Sequence, residues 1–374
     1  MCKISYVQNK IEKHKKLKYV RCYVLDANRK GDYIMITGGE NDILVRFKNE
    51  EGPIFFSIDV TGKCNFRCLH CYNDSGNQLD GELTDEEVLD VVRQAAELKP
   101  VSLCLCGGEP MLRKNILELI KAGTKNGTTV NMVSNGYLCS RELLEKMKDA
   151  GLDTLQISLD GINEMQHDTF RGFFGAFDKA IQTMKDGINV GLNVITSFTP
   201  NKMNVRTLDD YFALCNDIGI SQVRIMPLIP MGRGSKIDNL LLNSDEYFLL
   251  QQKILKANIF YRDKKMTIEW GDPLDHYLRM TYNAKAGIRT ANFEVKANGN
   301  LTVSTYIPIV VGNCREHSLR EYWDIGYKSV WKREEVIEYV SKIITIYDIN
   351  QLEPKPYSGE IYYIDIWNNR LQEA

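Results

Sequence analysis

From Phe55 onward the chain alternates short apolar runs with amphipathic stretches, and this alternation limits the folds open to it. We predict six strands, at 55–60, 101–106, 128–133, 154–159, 191–198 and 222–228. Helical patterns fill the gaps between them, as expected for a parallel sheet covered by helices. Six units are too few for a closed eight-fold barrel. We therefore predict an α/β fold, an open and partial (β/α)6 TIM-like barrel.

Residues near three helix starts support this prediction. Thr84 and Glu87 form a capping-box pattern before an apolar helical stripe. Pro110 suits a first helical turn, and Ser140 is a good N-cap for a third helix.

We divide the chain of 374 residues into four parts on these patterns. Residues 1–52 are a small β-rich segment of unknown role, and 53–240 form the partial barrel. Residues 241–287 are a helical connection that includes a long helix at 243–260. Residues 288–374 form an α+β extension.

The extension begins with a hairpin pattern. Residues 293–304 alternate in period two around Asn298-Gly299, a dipeptide typical of tight hairpin turns. A mostly helical tail is predicted for 319–344. In the N-terminal segment, short strands at 17–50 are predicted with turns at Lys30-Gly31 and Gly38-Gly39.

Composition excludes several classes of function. Apolar content of 44% and charged content of 26% are those of an ordinary globular protein. The net charge of −2 predicts neither a nucleic-acid nor a membrane-surface partner, and no apolar run reaches membrane-spanning length. We therefore expect a cytoplasmic protein. In that compartment the ten cysteines are metal ligands, reactive thiols or packing residues and not a disulfide framework.

Polar and glycine-rich segments follow the predicted strands. These segments are TGKCNFRC, GGEP, SNG and DG. Because parallel β/α folds place their chemistry at the C-terminal ends of the strands, we expect these segments to form one shared site.

Cys64, Cys68 and Cys71 directly follow the first strand, with three and then two residues between them. A structural zinc site would need a fourth ligand, and none is evident nearby. Thiolates also bind Fe–S clusters, where four cysteines would saturate a cubane. Three cysteines leave one iron without a protein ligand, which is the pattern of a reactive site.

With this motif the sequence resembles the radical S-adenosylmethionine (radical SAM) superfamily. The resemblance covers residues 53–235 strongly and 288–325 weakly. It implies one [4Fe–4S] cluster on the three cysteines and SAM bound at the open iron. Electron transfer to SAM would then give a 5′-deoxyadenosyl radical that abstracts hydrogen from a substrate. The residue before the last cysteine is usually aromatic in the family, whereas here it is His70, followed after Cys71 by Tyr72.

The resemblance also assigns SAM contacts at the next strand ends. Gly107, Gly108, Glu109 and Pro110 match the glycine-rich motif that holds the amino group of SAM. The glycines would let the backbone approach a ligand, and Glu109 would accept from the ammonium group.

Further SAM contacts are implied at the later strands. Ser158 and Arg171 match the serine and arginine that hold the SAM carboxylate in peptide-modifying relatives, with a surface ion pair as the alternative for Arg171. Ser134 and Asn135 end the third strand and either contact SAM or form a plain Asn-Gly turn. Leu228 is a candidate contact for adenine, or else an ordinary core leucine.

Residues 293–323 resemble the start of the SPASM or twitch extension found in many radical SAM maturases. Ser304 and Thr305 stand where that extension has a cysteine, and Cys314 is the only cysteine after Cys215. We therefore predict a single cluster. Cys314 is either a hydrogen-donating thiol or a buried inert one.

The extension favours a peptide substrate, particularly a ribosomally made precursor that is crosslinked, epimerised or converted to a thioether. A flavodoxin or ferredoxin is the expected electron donor. The alternatives are a small-molecule epimerase or dehydrogenase acting on sugars or aminoglycosides, and a non-catalytic Fe–S protein for electron transfer or sensing.

Overall fold

A computed structural model describes residues 25–26, 33–37, 43–47, 52–271, 273–285, 289–355 and 361–369. The chain divides into two compact units, Met1–Glu51 and Gly52–Ala374.

The first unit contains a three-stranded antiparallel sheet in the order β1-β2-β3. Its strands are β1 (Leu25–Asp26), β2 (Tyr33–Thr37) and β3 (Ile43–Phe47). These three strands fall within the predicted β-rich segment, 1–52. The two predicted turns lie outside the described residues.

The second unit is built on one sheet of eleven strands. The strands are β4 (Phe55–Thr61), β5 (Ser102–Gly107), β6 (Thr129–Ser134), β7 (Leu152–Ser158), β8 (Asn193–Phe198), β9 (Gln222–Ile225), β10 (Thr267–Trp270), β11 (Asn292–Val295), β12 (Asn300–Ser304), β13 (Ile307–Asn313) and β14 (Tyr362–Tyr363). Their order in the sheet is β10-β9-β8-β7-β6-β5-β4-β11-β12-β13-β14.

The sheet is parallel from β10 through β4 to β11, and it does not close. The six predicted strands correspond to β4–β9, so the open α/β barrel is confirmed. One further parallel strand, β10, lies in the segment that we assign to a helical connection. It pairs with β9 over four residues, Thr267–Trp270. Such a short run with only two apolar residues, Ile268 and Trp270, gives a weak sequence signal.

Helices connect the parallel strands and continue into the extension. They are α1 (Asp85–Glu97), α2 (Ile116–Gly123), α3 (Arg141–Asp149), α4 (Glu164–Arg171), α5 (Ala176–Asn189), α6 (Leu208–Ile218), α7 (Ser244–Phe260), α8 (Pro273–Lys285), α9 (Leu319–Ile325) and α10 (Glu334–Ser341). The capping box of Thr84 and Glu87 begins α1, and Ser140 caps α3. None of the helices in the described ranges is long and apolar enough to cross a membrane.

The two faces of the sheet differ in polarity. On β4, Phe56, Ile58 and Val60 are buried in the core that the helices cover. The residues between them, Ser57 and Asp59, lie on the opposite face, which we call the inner face.

Polar residues continue across the inner face. The register aligns Glu294, Ser57, Cys104 and Asn131 on four neighbouring strands. A packed TIM-barrel interior is filled by branched apolar side chains. The polar inner face therefore suits an enclosed site better than a packed core.

The extension is joined to the barrel by sheet pairing and aromatic packing. Strand β11 pairs in parallel with β4, and β12 returns antiparallel through the predicted Asn298-Gly299 turn, where Gly299 has φ of +86°. The ring of Phe293 stacks on Phe56 at 5.1 Å and on Tyr327 at 4.0 Å between ring centroids. Packing thus holds the hairpin.

Candidate active site

The three cysteines lie on the loop that follows β4, which we call the cysteine loop (residues 62–76). Its ends are tied together, because the Cys64 amide donates to the Gly76 carbonyl at 3.0 Å and the Gly76 amide donates to Gly62 at 3.0 Å. The Leu69 amide donates to the Phe170 carbonyl at 3.0 Å, which joins the loop to α4. The sequence prediction that the triplet lies at the C-terminal end of the first barrel strand is confirmed.

Each cysteine sulfur accepts one N–H hydrogen bond. The Phe66 amide donates to Cys64 Sγ at 3.4 Å, and the Ser75 amide donates to Cys71 Sγ at 3.4 Å. Arg171 Nη1 donates to Cys68 Sγ at 3.9 Å. Hydrogen bonds to sulfur stabilise cluster thiolates and tune their clusters. Three thiols with one N–H donor each fit the ligand set of a [4Fe–4S] cluster.

An aromatic group surrounds these sulfurs. Phe66 stacks on Phe173 at 4.4 Å between ring centroids, and Tyr137 meets Phe173 edge-on at 4.7 Å. All three rings pack in one apolar group with the cysteines. Limited solvent access of this kind is one determinant of cluster stability and potential.

Burial raises the pKa of the cysteine thiols. The pKa of Cys68 is raised to about 11, with a partial offset from Arg171, and that of Cys64 is raised by burial as well. Ligation of iron must therefore release protons. Within the described ranges, no three histidine, cysteine or carboxylate side chains converge on a single metal ion. A cubane does not require such convergence, because each of its thiolates binds a different iron.

The two glycines of the GGEP turn serve the contact between this turn and the cysteine loop. A Cβ on Gly108 would lie 2.0 Å from the Lys63 carbonyl oxygen, and Gly107 has φ of +115°. The Gly108 and Glu109 amides donate to the Thr61 and Lys63 carbonyls at 2.7 and 2.8 Å. We expected these glycines to admit a ligand, and the close approach in the structure is to protein backbone. Pro110 begins a short 3-10 turn, Pro110–Leu112.

Glu109 brings the ends of the second and third barrel strands together. It is fully buried and accepts from Ser134 Oγ and the Asn135 amide, each at 2.8 Å, and from the Met111 amide at 3.1 Å. Burial raises the pKa of Glu109, with these hydrogen bonds acting in the opposite direction. Asn135 Nδ2 also donates to Asn65 Oδ1 of the cysteine loop at 2.8 Å. The three predicted SAM contacts at these strand ends, Glu109, Ser134 and Asn135, are therefore in direct contact with one another.

Arg171 is buried and does not form a surface ion pair. Its Nε and Nη2 lie 2.6 Å from the same oxygen, Asp160 Oδ2. With the Nη1 contact to Cys68, three of the five guanidinium N–H groups have protein partners. Nη1 and Nη2 each keep one N–H group, and guanidinium N–H groups are suited to bind a carboxylate.

Other candidates surround this arginine. His70 stacks on Phe170 at 4.1 Å between ring centroids, and burial lowers the pKa of His70 well below its usual value. Leu228 packs with Phe170 and Leu241. Ser158 is buried at the C-terminal end of β7. The ring of Tyr72 lies 5.8 Å from that of Tyr306, between centroids.

Sequence reasoning assigned no role to two carboxylates, Asp59 and Asp160, although the DG segment that contains Asp160 was expected in the site. Asp59 Oδ2 accepts from Lys296 Nζ at 3.1 Å and from Asn73 Nδ2 at 3.3 Å, and its other oxygen accepts from the Cys106 thiol at 3.4 Å. Asp160 holds Arg171. The available signals were the position of Asp160 directly after a strand and that of Asp59 between the apolar Ile58 and Val60 of β4.

Cys314 lies near α1, at the far side of the extension hairpin. Its amide donates to the Gly299 carbonyl at 2.9 Å, and a Cβ on Gly299 would meet its sulfur at 2.9 Å and Leu83 at 3.2 Å. Burial raises the pKa of Cys314 to about 11. Its role as a hydrogen donor stays a prediction.

Comparison with known proteins shows what this chain is similar to. The sequence model of the radical SAM superfamily matches residues 58–217. The AdoMet-dependent heme synthase of Methanosarcina barkeri is 29% identical over 289 residues, which are 73% of this chain and 82% of that protein. The Fe-coproporphyrin III synthase of the same organism is 34% identical over 204 residues, and the match spans 54% of this chain and 51% of that relative.

A solved structure shows the same fold over most of the chain. Streptococcus suis SuiB bound to its precursor peptide SuiA superposes with a TM-score of 0.63 at 14% identity. The superposition covers 90% of this chain and 78% of SuiB.

Proposed function

We propose that this chain is a radical SAM enzyme whose cofactors are a [4Fe–4S] cluster and SAM, and that Cys64, Cys68 and Cys71 hold the cluster. The observation that carries the proposal is the N–H donor at each of the three sulfurs. A cluster held by these cysteines would supply the electron for reductive cleavage of SAM, and so the radical chemistry that removes hydrogen from a substrate.

We infer that the residues around the cysteine loop bind and orient SAM. The remaining N–H groups of Arg171, together with Ser158, would take the carboxylate. The GGEP turn, Gly107 through Pro110, would hold the amino group, with Glu109 oriented by its own hydrogen bonds. Ser134 and Asn135 lie beside Glu109.

The apolar and aromatic neighbours would complete the SAM pocket. His70, whose pKa is lowered by burial, lies in a stack with Phe170, next to Leu228. We assign Leu228 to adenine contact. We place Tyr72 at the wall shared with the extension, where it meets Tyr306.

Anaerobic SAM cleavage tests this proposal. Reconstituted protein with dithionite should release 5′-deoxyadenosine, measured by chromatography. A protein that assembles a cluster but neither binds nor cleaves SAM would contradict the assignment, and it would revive the non-catalytic alternative for this chain.

We propose a peptide as substrate and a flavodoxin or ferredoxin as electron donor. The support is the fold shared with SuiB, solved with its precursor peptide, and the polar inner face, whose donors and acceptors suit peptide amides. A peptide encoded next to the gene is the substrate to test. Mass loss of two hydrogens would indicate a crosslink or thioether, and deuterium uptake without other mass change would indicate epimerisation.

A tetrapyrrole is the second candidate substrate, a small-molecule alternative. The supporting observation is the match to a heme synthase, which extends over 82% of that relative. Optical titration of the reconstituted chain with an iron porphyrin separates the two candidates. A saturable shift of the Soret band would favour the tetrapyrrole, and no shift would favour the peptide.

A further inference from the structure

The Asp160–Arg171 pair is a buried unit with a fixed geometry. The two side chains are 0% and 11% exposed, and both Nε and Nη2 of Arg171 contact one carboxylate oxygen at 2.6 Å. Two N–H groups that converge on one carboxylate oxygen restrict the orientation of the guanidinium. In this orientation Nη1 directs one of its two N–H groups at Cys68 Sγ, at 3.9 Å.

Asp160 is itself held from several elements. Its other oxygen, Oδ1, accepts from the Thr199 amide at 2.7 Å at the end of β8. Its own amide donates to His167 Nδ1 at 3.0 Å, and its carbonyl accepts from Asn204 Nδ2 at 3.0 Å. The pair therefore does not move freely. It connects the ends of two barrel strands and α4 to one sulfur of the cysteine loop.

Cys68 differs from the other two cysteines in the type of its N–H donor. The donors at Cys64 and Cys71 are backbone amides of the cysteine loop itself. The donor at Cys68 is a charged side chain from another element, positioned by a carboxylate. Among the three cysteine sulfurs, Cys68 is the one whose N–H donor belongs to an ion pair. The electrostatic potential at this sulfur therefore depends on two side chains, and each can be substituted separately.

We propose that Asp160 and Arg171 are positioning residues that set the reduction potential of the cluster through Cys68. The proposal rests on the proposed cluster at Cys64, Cys68 and Cys71. It adds a role to Arg171 beyond SAM binding and gives Asp160 a role in the redox chemistry.

The sign of each effect follows from charge. Reduction adds one negative charge to the cluster, so a nearby positive charge favours the reduced form and a negative charge disfavours it. Loss of the Asp160 charge leaves Arg171 uncompensated and should raise the potential. Loss of the Arg171 charge removes the N–H···S contact, leaves Asp160 uncompensated and should lower the potential.

The experiment is a potentiometric titration of the reconstituted full chain without SAM, followed by the EPR signal of the reduced cluster. Asp160→Asn should raise the midpoint potential and Arg171→Gln should lower it. In each case we expect a change of about tenfold in the one-electron equilibrium constant, which corresponds to a shift of 59 mV in the midpoint potential. The double variant should lie between the two, because it removes both charges. General damage to the site would not shift the potential in opposite directions.

Glu87→Gln is the matched control. It changes net charge by the same amount as Asp160→Asn, but Glu87 lies at the start of α1 and pairs with Arg315. Its potential should equal that of the unmodified chain.

If Asp160→Asn assembles no cluster, Arg171→Lys is measured in its place. Lysine keeps the positive charge, but its side chain is shorter and does not reach Cys68, so the midpoint potential should fall. Unchanged potentials, or shifts of Asp160→Asn and Arg171→Gln in one direction, would overturn the inference. Absence of any cluster in the unmodified chain would instead overturn the proposed function.

Discussion

Lys296 Nζ of the extension hairpin lies 3.1 Å from Asp59 Oδ2 of β4, and both side chains are nearly buried. Asp59 also accepts from Asn73, two residues after Cys71. One ion pair therefore connects the extension, the first barrel strand and the cysteine loop.

Lys296→Gln should destabilise the protein by about 3 kcal/mol, because it leaves the Asp59 charge buried without its cation. Urea unfolding of the cluster-free chain measures this loss. Lys342→Gln is the control, since Lys342 pairs with Glu338 on the exposed surface and such pairs contribute less than about 1 kcal/mol. Equal losses in the two variants would show that the Asp59 pair has no special role.

Arg171→Ala should weaken SAM binding while the cluster still assembles. A carboxylate without its guanidinium partner loses charge-assisted hydrogen bonds, about 2–4 kcal/mol for a buried pair. Isothermal titration of the reconstituted protein gives the affinity. Arg113→Ala also removes a buried arginine, but one that donates to the Val60 and Leu83 carbonyls, and it should leave SAM affinity unchanged. Equal affinity in Arg171→Ala and the unmodified chain would exclude Arg171 from the SAM site.

His167 should make the protein sensitive to acid. Burial lowers the pKa of His167 to about 3 from the ordinary 6.5, so the unfolded chain binds one more proton between these values. The contribution of neutral His167 to the free energy of unfolding is fully present above pH 6.5. It is lost as pH falls towards 3, by up to about 1.4 kcal/mol per pH unit. His167→Gln should flatten this dependence. Urea midpoints at pH 7 and pH 5 that fall equally in both proteins would contradict this expectation.

Iron content should correspond to one cluster. The extension, residues 288–374, has one cysteine, Cys314, which lies beside Gly299. Cys104 and Cys106 are neighbours on the inner face of β5, which gives two thiols and not the three or four that a second cluster needs. Anaerobic reconstitution should give about four irons per chain. A count near eight would reveal a second set of ligands.

The parallel sheet and the cysteine loop could be predicted from sequence because their signals are local. Strand periodicity, the cap residues Thr84 and Ser140 and the spacing of the cysteines depend on neighbours along the chain. Strand β10 was missed because four residues carry too little periodicity. The extra pairing of β11 with β4 was not visible either, because it depends on contacts distant in sequence.

The roles of polar residues were harder to predict than their positions. The sequence does not show that Asp160 forms an ion pair with Arg171. Nor does it show that Asp59 pairs with Lys296, which lies 237 positions further along the chain. The motif pointed to Gly108 as a ligand contact, and it did not reveal that a Cβ at this position would lie 2.0 Å from the Lys63 carbonyl oxygen. Such roles follow from which strand ends lie side by side, and that is a property of the folded sheet.

The central claim is that Cys64, Cys68 and Cys71 bind the cluster that cleaves SAM. Alanine at all three positions tests it most directly, with iron content, absorption near ~400 nm and release of 5′-deoxyadenosine measured on the same anaerobic samples. The unmodified chain should show all three signals and the triple variant none of them, while its circular dichroism stays that of the folded chain. Cluster absorption or SAM cleavage retained in the triple variant would contradict the assignment.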